Sequence, residues 1–208
     1  MTKSLAPSFD ALLRRYLGRQ LRADGFKLVR SRTYEREVGT WMQRVYVQRF
    51  TKSLGFVMQL TMASRDIPGY LTERYSENGR NVIWGDSWRI DDVTAHSDAA
   101  RAYCERIRPL LNNLVSAASP LETVSPREFA ALGAYVGPFH RGWMEFEWFA
   151  NLRWRDSRLE EAREFAQCVL EQSYLMEHHK ARARSIIAQI DSGMPYSPDQ
   201  ANGGLDSR

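Results

Sequence analysis

The sequence predicts an α+β protein: an antiparallel sheet of about four strands covered by helices, with a C-terminal helical annex. Three observations lead there. The apolar period is helical over residues 8–24, becomes two over residues 32–62, and is helical again after residue 97. The alternating segments are joined by connections too short for parallel crossovers. With 208 residues, 43% of them hydrophobic, the chain can bury a core without disulfides or a structural metal.

Ser8 can cap a first helix. Phe9, Leu12, Leu13, Tyr16 and Leu17 then fall on one side of it, and Arg14, Arg15, Arg19 and Arg22 on the other. Gly18 weakens this helix without ending it. Gly25 suits the left-handed position after its last turn, and Phe26 can pack back on that turn. Residues 32–38, 42–50 and 54–62 read as three strands. Their arginines, Arg32, Arg36, Arg44 and Arg49, are expected on the wetter face.

Residues 70–80 read as a loop or short helix, and residues 81–90 as a fourth, irregular strand. Ser97 is the expected cap of a helix to about Val115, kinked or divided by Pro109. Residues 116–120 are a linker candidate. Ser125-Pro126-Arg127-Glu128 is a capping box with proline at the first helical position, opening a helix to about Tyr135. Helices follow over residues 143–153, 157–175 and 177–191, the last two as a hairpin. The expected division is a sheet domain over 1–118, an annex over 119–191 and a flexible tail over 192–208.

The charge is graded. Residues 1–65 carry 13 Lys/Arg against 4 Asp/Glu, residues 66–120 carry 6 against 8, and residues 121–208 carry 10 against 13. The front end is therefore basic and suits a phosphate backbone, an acidic protein, or the chain's own acidic half. No run of about 18 apolar residues offers a membrane span, and the first residues lack a signal-peptide apolar stretch. Cys104 and Cys168 lie in apolar-patterned segments and read as buried thiols. A cytoplasmic protein without membrane partner or cofactor is expected.

Four features could carry chemistry. Glu35 and Glu37 share a strand face. They form either an acid/base pair or a solvated pair neutralised by Arg44 or Arg49. His178 and His179, about 100° apart on a helix, make a poor metal site and read as surface histidines. Seven aromatics crowd residues 135–154: Tyr135, Phe139, Trp143, Phe146, Trp148, Phe149 and Trp154. They either cement the annex or, rimmed by Arg141, Arg153 and Arg155, form a protein-binding patch. The basic face of the first helix, with Arg14, Arg15, Arg19 and Arg22, could steer association electrostatically. With Tyr34 and Tyr46 on the sheet, it could instead contact single-stranded nucleic acid.

The order of helix, Gly25-Phe26, the aromatic strand Arg32-Thr33-Tyr34, Gln48 within YVQRF, and the strand LGFVMQLTM resembles a bacterial family catalogued as domain of unknown function 4304. The resemblance covers about residues 8–115 and leaves the annex unexplained. It implies no catalytic residues. Some similar small α+β proteins are encoded beside secreted toxins and act as immunity proteins, so it implies a stoichiometric binder. The expectation is a non-catalytic protein-binding protein that neutralises a toxin or effector. Its partner surface would include Trp143, Trp148, Arg141 and Arg153. The alternatives are nucleic-acid binding through the basic front and a small enzyme with a non-standard site.

Overall fold

The computed structural model describes residues 6–49, 56–67, 69, 71–75, 93–130, 135–136, 139–140, 143–173 and 175–198. The chain is α+β and divides into two compact units, one of residues 1–62 and 72–118, the other of residues 63–71 and 119–208.

In the first unit, α1 (Ala6–Ala23) starts two residues before the expected cap Ser8. It buries Leu13, Leu17 and Leu21. Its end is written locally. Gly25 takes φ +88°, Phe26 N–H donates to the Leu21 carbonyl at 2.9 Å, and Gly25 N–H donates to the Arg22 carbonyl at 3.1 Å. These are the two bonds of a Schellman motif, and Phe26 is buried against the turn it closes.

The sheet has five strands among the described residues, in the order β1 (Lys27–Arg30), β2 (Thr33–Val38), β3 (Trp41–Arg49), β4 (Phe56–Ser64) and β5 (Leu71–Tyr75). β1 and β2 pair antiparallel, as do β2 and β3, where Tyr34 faces Val45 and Glu35 faces Arg44. Two strands were not expected. β1 is too short for alternation to register, and β5 is the segment read as a loop or short helix. The strand expected at residues 81–90 lies outside the described residues. β3 alternates cleanly, with Trp41, Gln43, Val45 and Val47 buried. β4 does not: Val57 and Thr61 are buried as well as Met58, Leu60 and Met62. An interior strand covered on both faces loses the one-sided pattern.

α2 (Val93–Val115) is one helix, starting before Ser97 and passing through Pro109. Ile107, Leu111 and Leu114 are buried, while Pro109 and Glu105 are exposed. The carbonyl that proline leaves unpaired, that of Glu105, is thus on the wet side, where water satisfies it.

In the second unit, α3 (Ala118–Thr123) starts at the boundary, where a linker was expected. The capping box is present at α4 (Pro126–Ala130). Glu128 N–H donates to Ser125 Oγ at 3.2 Å, and Ser125 N–H donates to Glu128 Oε2 at 3.0 Å. α4 is shorter than expected, and Tyr135 lies in an antiparallel ribbon of β6 (Tyr135–Val136) and β7 (Phe139–His140). α5 (Trp143–Arg155), α6 (Leu159–Glu171) and α7 (Glu177–Asp191) follow close to the expected ranges. α6 and α7 pack as the expected hairpin, with Arg163 bonded to both Glu160 and Asp191.

Phe129, Phe146, Phe149 and Phe165 form the centre of this unit, all buried. Phe149 stacks on Phe165 at 5.1 Å and 16°, and Phe129 meets Phe146 edge-on at 5.0 Å. Each buried phenylalanine contributes about 1.5–3 kcal/mol. Residues 192–198 do not trail freely as expected. Trp154 Nε1 donates to the Met194 carbonyl at 3.2 Å, Tyr196 meets the Trp154 ring edge-on, and Tyr196 Oη donates to the Asp66 carbonyl at 2.7 Å. Burial pushes the Tyr196 phenol up to about 12.

Candidate functional site

The expected aromatic patch is internal where it is described. Trp148 and Arg153 are 4% and 0% exposed, and Phe146, Phe149 and Trp154 are buried beside them. The side chain of Trp143 and all of Arg141 lie outside the described residues. The indole of Trp148 lies against the connection between β4 and β5: a Cβ added to Gly69 would sit 3.8 Å from its Cδ1. α5 is enclosed by α4, α6, α7 and the docked residues 194–196. A helix covered on all sides needs apolar residues all round it, and that is why its aromatics exceed one face. Excess alone does not imply exposure.

Arg153 is a buried brace. Its Nη2 donates to the carbonyls of Leu121 at 3.0 Å and Val124 at 2.7 Å, and its Nε donates to Glu161 at 3.2 Å. The guanidinium lies over the rings of Phe149 and Phe165. Burial lowers its pKa, and the neighbouring Arg158 adds to that, while Glu161 opposes it. The group ties the end of α3 to α5 and α6 and is not available to a partner.

A second cluster in this unit was not anticipated. His179, expected at the surface, is buried, with Nδ1 4.0 Å from Glu147 Oε2. Arg182 Nη1 donates to Glu147 Oε1 at 3.4 Å, and the His178 ring lies 3.9 Å from that of His179. Burial raises the Glu147 pKa, against the pull of Arg182 and His178. Burial also lowers the His179 pKa, helped by His178 and Arg182. The sequence showed His179 and Arg182 one turn apart, but nothing in it brings Glu147 to them from α5.

In the first unit the arginines separate into two sets. Arg36 faces the core, not the wet face. Its guanidinium donates to the carbonyls of Asp24 at 2.7 Å and Val115 at 2.9 Å and to Gln43 Oε1 at 3.0 Å. It also lies over the Phe26 ring. Gln43 Nε2 donates to the Leu114 carbonyl at 2.6 Å. These two side chains on neighbouring strands satisfy the carbonyl ends of α1 and α2. Arg44 pairs with Glu35 at 2.6 Å, as its register requires, so Glu35 is a neutralised cross-strand carboxylate. Arg32, at φ 64°, is held by a two-point bond to Asp10.

The other set is the outer face of α1. Arg14, Arg15, Arg19 and Arg22 are all exposed. Among the described residues Arg14 reaches only the Asp10 carbonyl, and Arg15 lies over the Tyr16 ring. Arg19 and Arg22 have no hydrogen-bond or ion-pair partner among the described residues. Of the carboxylates near them in sequence, Asp10 is paired with Arg32, Glu35 is paired with Arg44, and Asp24 acts electrostatically on Arg36. In the second unit, by contrast, Arg153, Arg155, Arg158, Arg163, Arg182 and Arg184 each meet a carboxylate. The sheet aromatics Tyr34 and Trp41 are buried, and Tyr46 is half-buried.

Among the described residues, no helix is long and apolar enough to cross a membrane. No protein-family model, no curated protein and no solved structure matches the chain.

Proposed function

We propose that the chain is a non-catalytic protein-binding protein of the immunity type, which neutralises a toxin or effector by covering its working surface. One observation carries this reading: the first unit presents a row of arginines on α1 that its own described carboxylates leave uncompensated. Arginine is suited to planar, two-point recognition of carboxylates and is enriched at interface centres. The resemblance of residues 8–115 to a family with toxin-neighbouring relatives points the same way. The described part of the aromatic segment, Phe146 to Trp154, is internal and does not compete as the docking surface.

Nucleic-acid binding is the second reading, because the same arginines suit phosphates. Against it, a sheet that reads single strands stacks bases on exposed aromatics, and of the two sheet tyrosines Tyr34 is buried and Tyr46 half-buried. The test is a pull-down from native lysate, with and without nuclease, using the natural chain and a variant carrying Arg15→Glu, Arg19→Glu and Arg22→Glu. A protein partner retained after nuclease treatment is the expected result. A bound fraction that vanishes with nuclease would sink the reading and favour nucleic acid.

A further inference from the structure

Resting on that reading, we infer that the stripe Arg15–Arg19–Arg22 on α1 is a docking site for a carboxylate-bearing protein surface. On a helix these positions, i, i+4 and i+7, fall within an arc of about 60° and span about 10 Å. The stripe lies opposite the buried side defined by Leu13, Leu17 and Leu21. It therefore faces away from the sheet, toward solvent.

Like charges at i, i+4 destabilise a helix by about 0.2–0.5 kcal/mol. Three arginines in a row with no carboxylate between them make α1 less stable than it could be. Folding gains from Arg22 in the last turn of α1, where a cation suits the helix C-terminus, but not from the repulsion along the row, which a partner with carboxylates would turn into attraction. Unit two shows what this chain does when an arginine serves the fold: it places a carboxylate against each one named above.

One observation favours a protein over a nucleic acid as the occupant. β1 follows α1 directly, and its Leu28 and Val29 are 45% and 48% exposed. Exposed apolar side chains on the element next to the arginines suit a protein interface and add nothing to a phosphate backbone. A symmetric contact with a second copy of the chain is a poor fit, since it would bring the same charges together.

The probe is a synthetic helical peptide with glutamates at i, i+4 and i+7, alongside its lysine counterpart. A single-stranded and a duplex DNA of about 20 nucleotides serve as phosphate probes. Binding is measured with the full chain by fluorescence anisotropy at about 0.05, 0.15 and 0.5 M salt. The glutamate peptide should bind at low salt. The triple variant Arg15→Glu, Arg19→Glu, Arg22→Glu should bind it about tenfold more weakly and prefer the lysine peptide. A control reversed at Arg108, Arg127 and Lys180 carries the same change in charge and should bind within about twofold of the natural chain.

The single variant Arg19→Glu separates function from fold. It places a carboxylate between Arg15 and Arg22, so it should melt at the same or a higher temperature while binding the peptide several-fold more weakly. Earlier melting would make Arg19 structural and overturn the inference. So would an equal loss in the control variant, or α1-dependent binding of either DNA more tightly than the peptide at about 0.15 M salt. A protein captured after nuclease treatment that the triple variant still binds fully would remove the docking site. It would leave the protein-binding reading standing.

Discussion

The hydroxyl of Tyr34 occupies the place that a side chain on Gly18 would need: a Cβ there would lie 2.5 Å from Tyr34 Oη and 3.3 Å from Cζ. The glycine in the middle of α1 is therefore a notch that lets the helix lie down on β2. Tyr34 is fully buried, and its hydroxyl has no hydrogen-bond partner among the described residues. Burial raises its pKa.

Gly18→Ala should consequently destabilise the first unit. Helix propensity would favour alanine by about 1 kcal/mol, but the ring is walled in, and overpacking typically costs about 1–3 kcal/mol. Tyr34→Phe alone should be near neutral or stabilising, since it removes a buried, unsatisfied hydroxyl. Combining the two should recover part of the Gly18→Ala loss, because the closest atom is gone. Urea midpoints for the four chains of this cycle check the point. Additive effects would mean the two residues do not meet as described.

Arg36 should be among the most sensitive polar positions of the first unit. Arg36→Met removes three donors from Gln43 and from the carbonyls of Asp24 and Val115. A loss of about 2–4 kcal/mol is expected, given the strength of bonds to charged groups and the carbonyls left behind. Arg36→Lys should recover little of it, because one ammonium cannot span both helix ends. Hydrogen exchange should quicken in the last turns of α1 and α2 together. Faster exchange in only one helix would show that the residue does not join them.

The features legible in advance were those encoded by neighbours in the chain. Gly25-Phe26 ends α1 through bonds that span six residues, and Ser125 and Glu128 cap α4 across three. The pair Glu35–Arg44 followed from period-two strands joined by a tight turn. What escaped depends on distant partners. Arg36 looks like any exposed strand arginine until two helix ends arrive at it. Ser97 has a cap's chemistry, but the helix continues past it. Trp148 and Arg153 read as a surface pair because a single helix was assumed to have one covered face. Seven scattered aromatics over residues 135–154 pointed equally to an enclosed helix.

Trp148 and Arg153 should behave as core residues. Trp148→Ala is expected to cost about 3–5 kcal/mol. Arg153→Ala should cost a similar amount, because it strands the Leu121 and Val124 carbonyls and leaves Glu161 with Arg158 alone. Both should melt early and fail to bind partners only in proportion to unfolding. Normal melting with lost binding, in either variant, would return these residues to the surface reading.

The Glu147–His179 pair should give the second unit opposing responses to pH. His179 has a lowered pKa. Its contribution to stability is present above the unfolded value of about 6.5 and is lost as pH falls through that value toward the folded one. Glu147 has a raised pKa. Its contribution is present below about 4.3 and is lost as pH rises through the folded value. The charged groups bearing on the pair are His178 and Arg182, both on α7. The two titrations partly cancel in the natural chain, so single variants are needed to separate them. Between about pH 7 and pH 5 the natural chain should lose stability relative to His179→Gln. As acid is added, Glu147→Gln should lose its advantage over the natural chain, because burial makes the natural carboxyl take up its proton at a higher pH in the fold than in the unfolded chain. Urea midpoints followed by tryptophan fluorescence at several pH values provide the measurement. If His179→Gln tracks the natural chain across the whole range, the imidazole titrates in the fold as it does in the unfolded chain, and the burial of His179 has no electrostatic consequence.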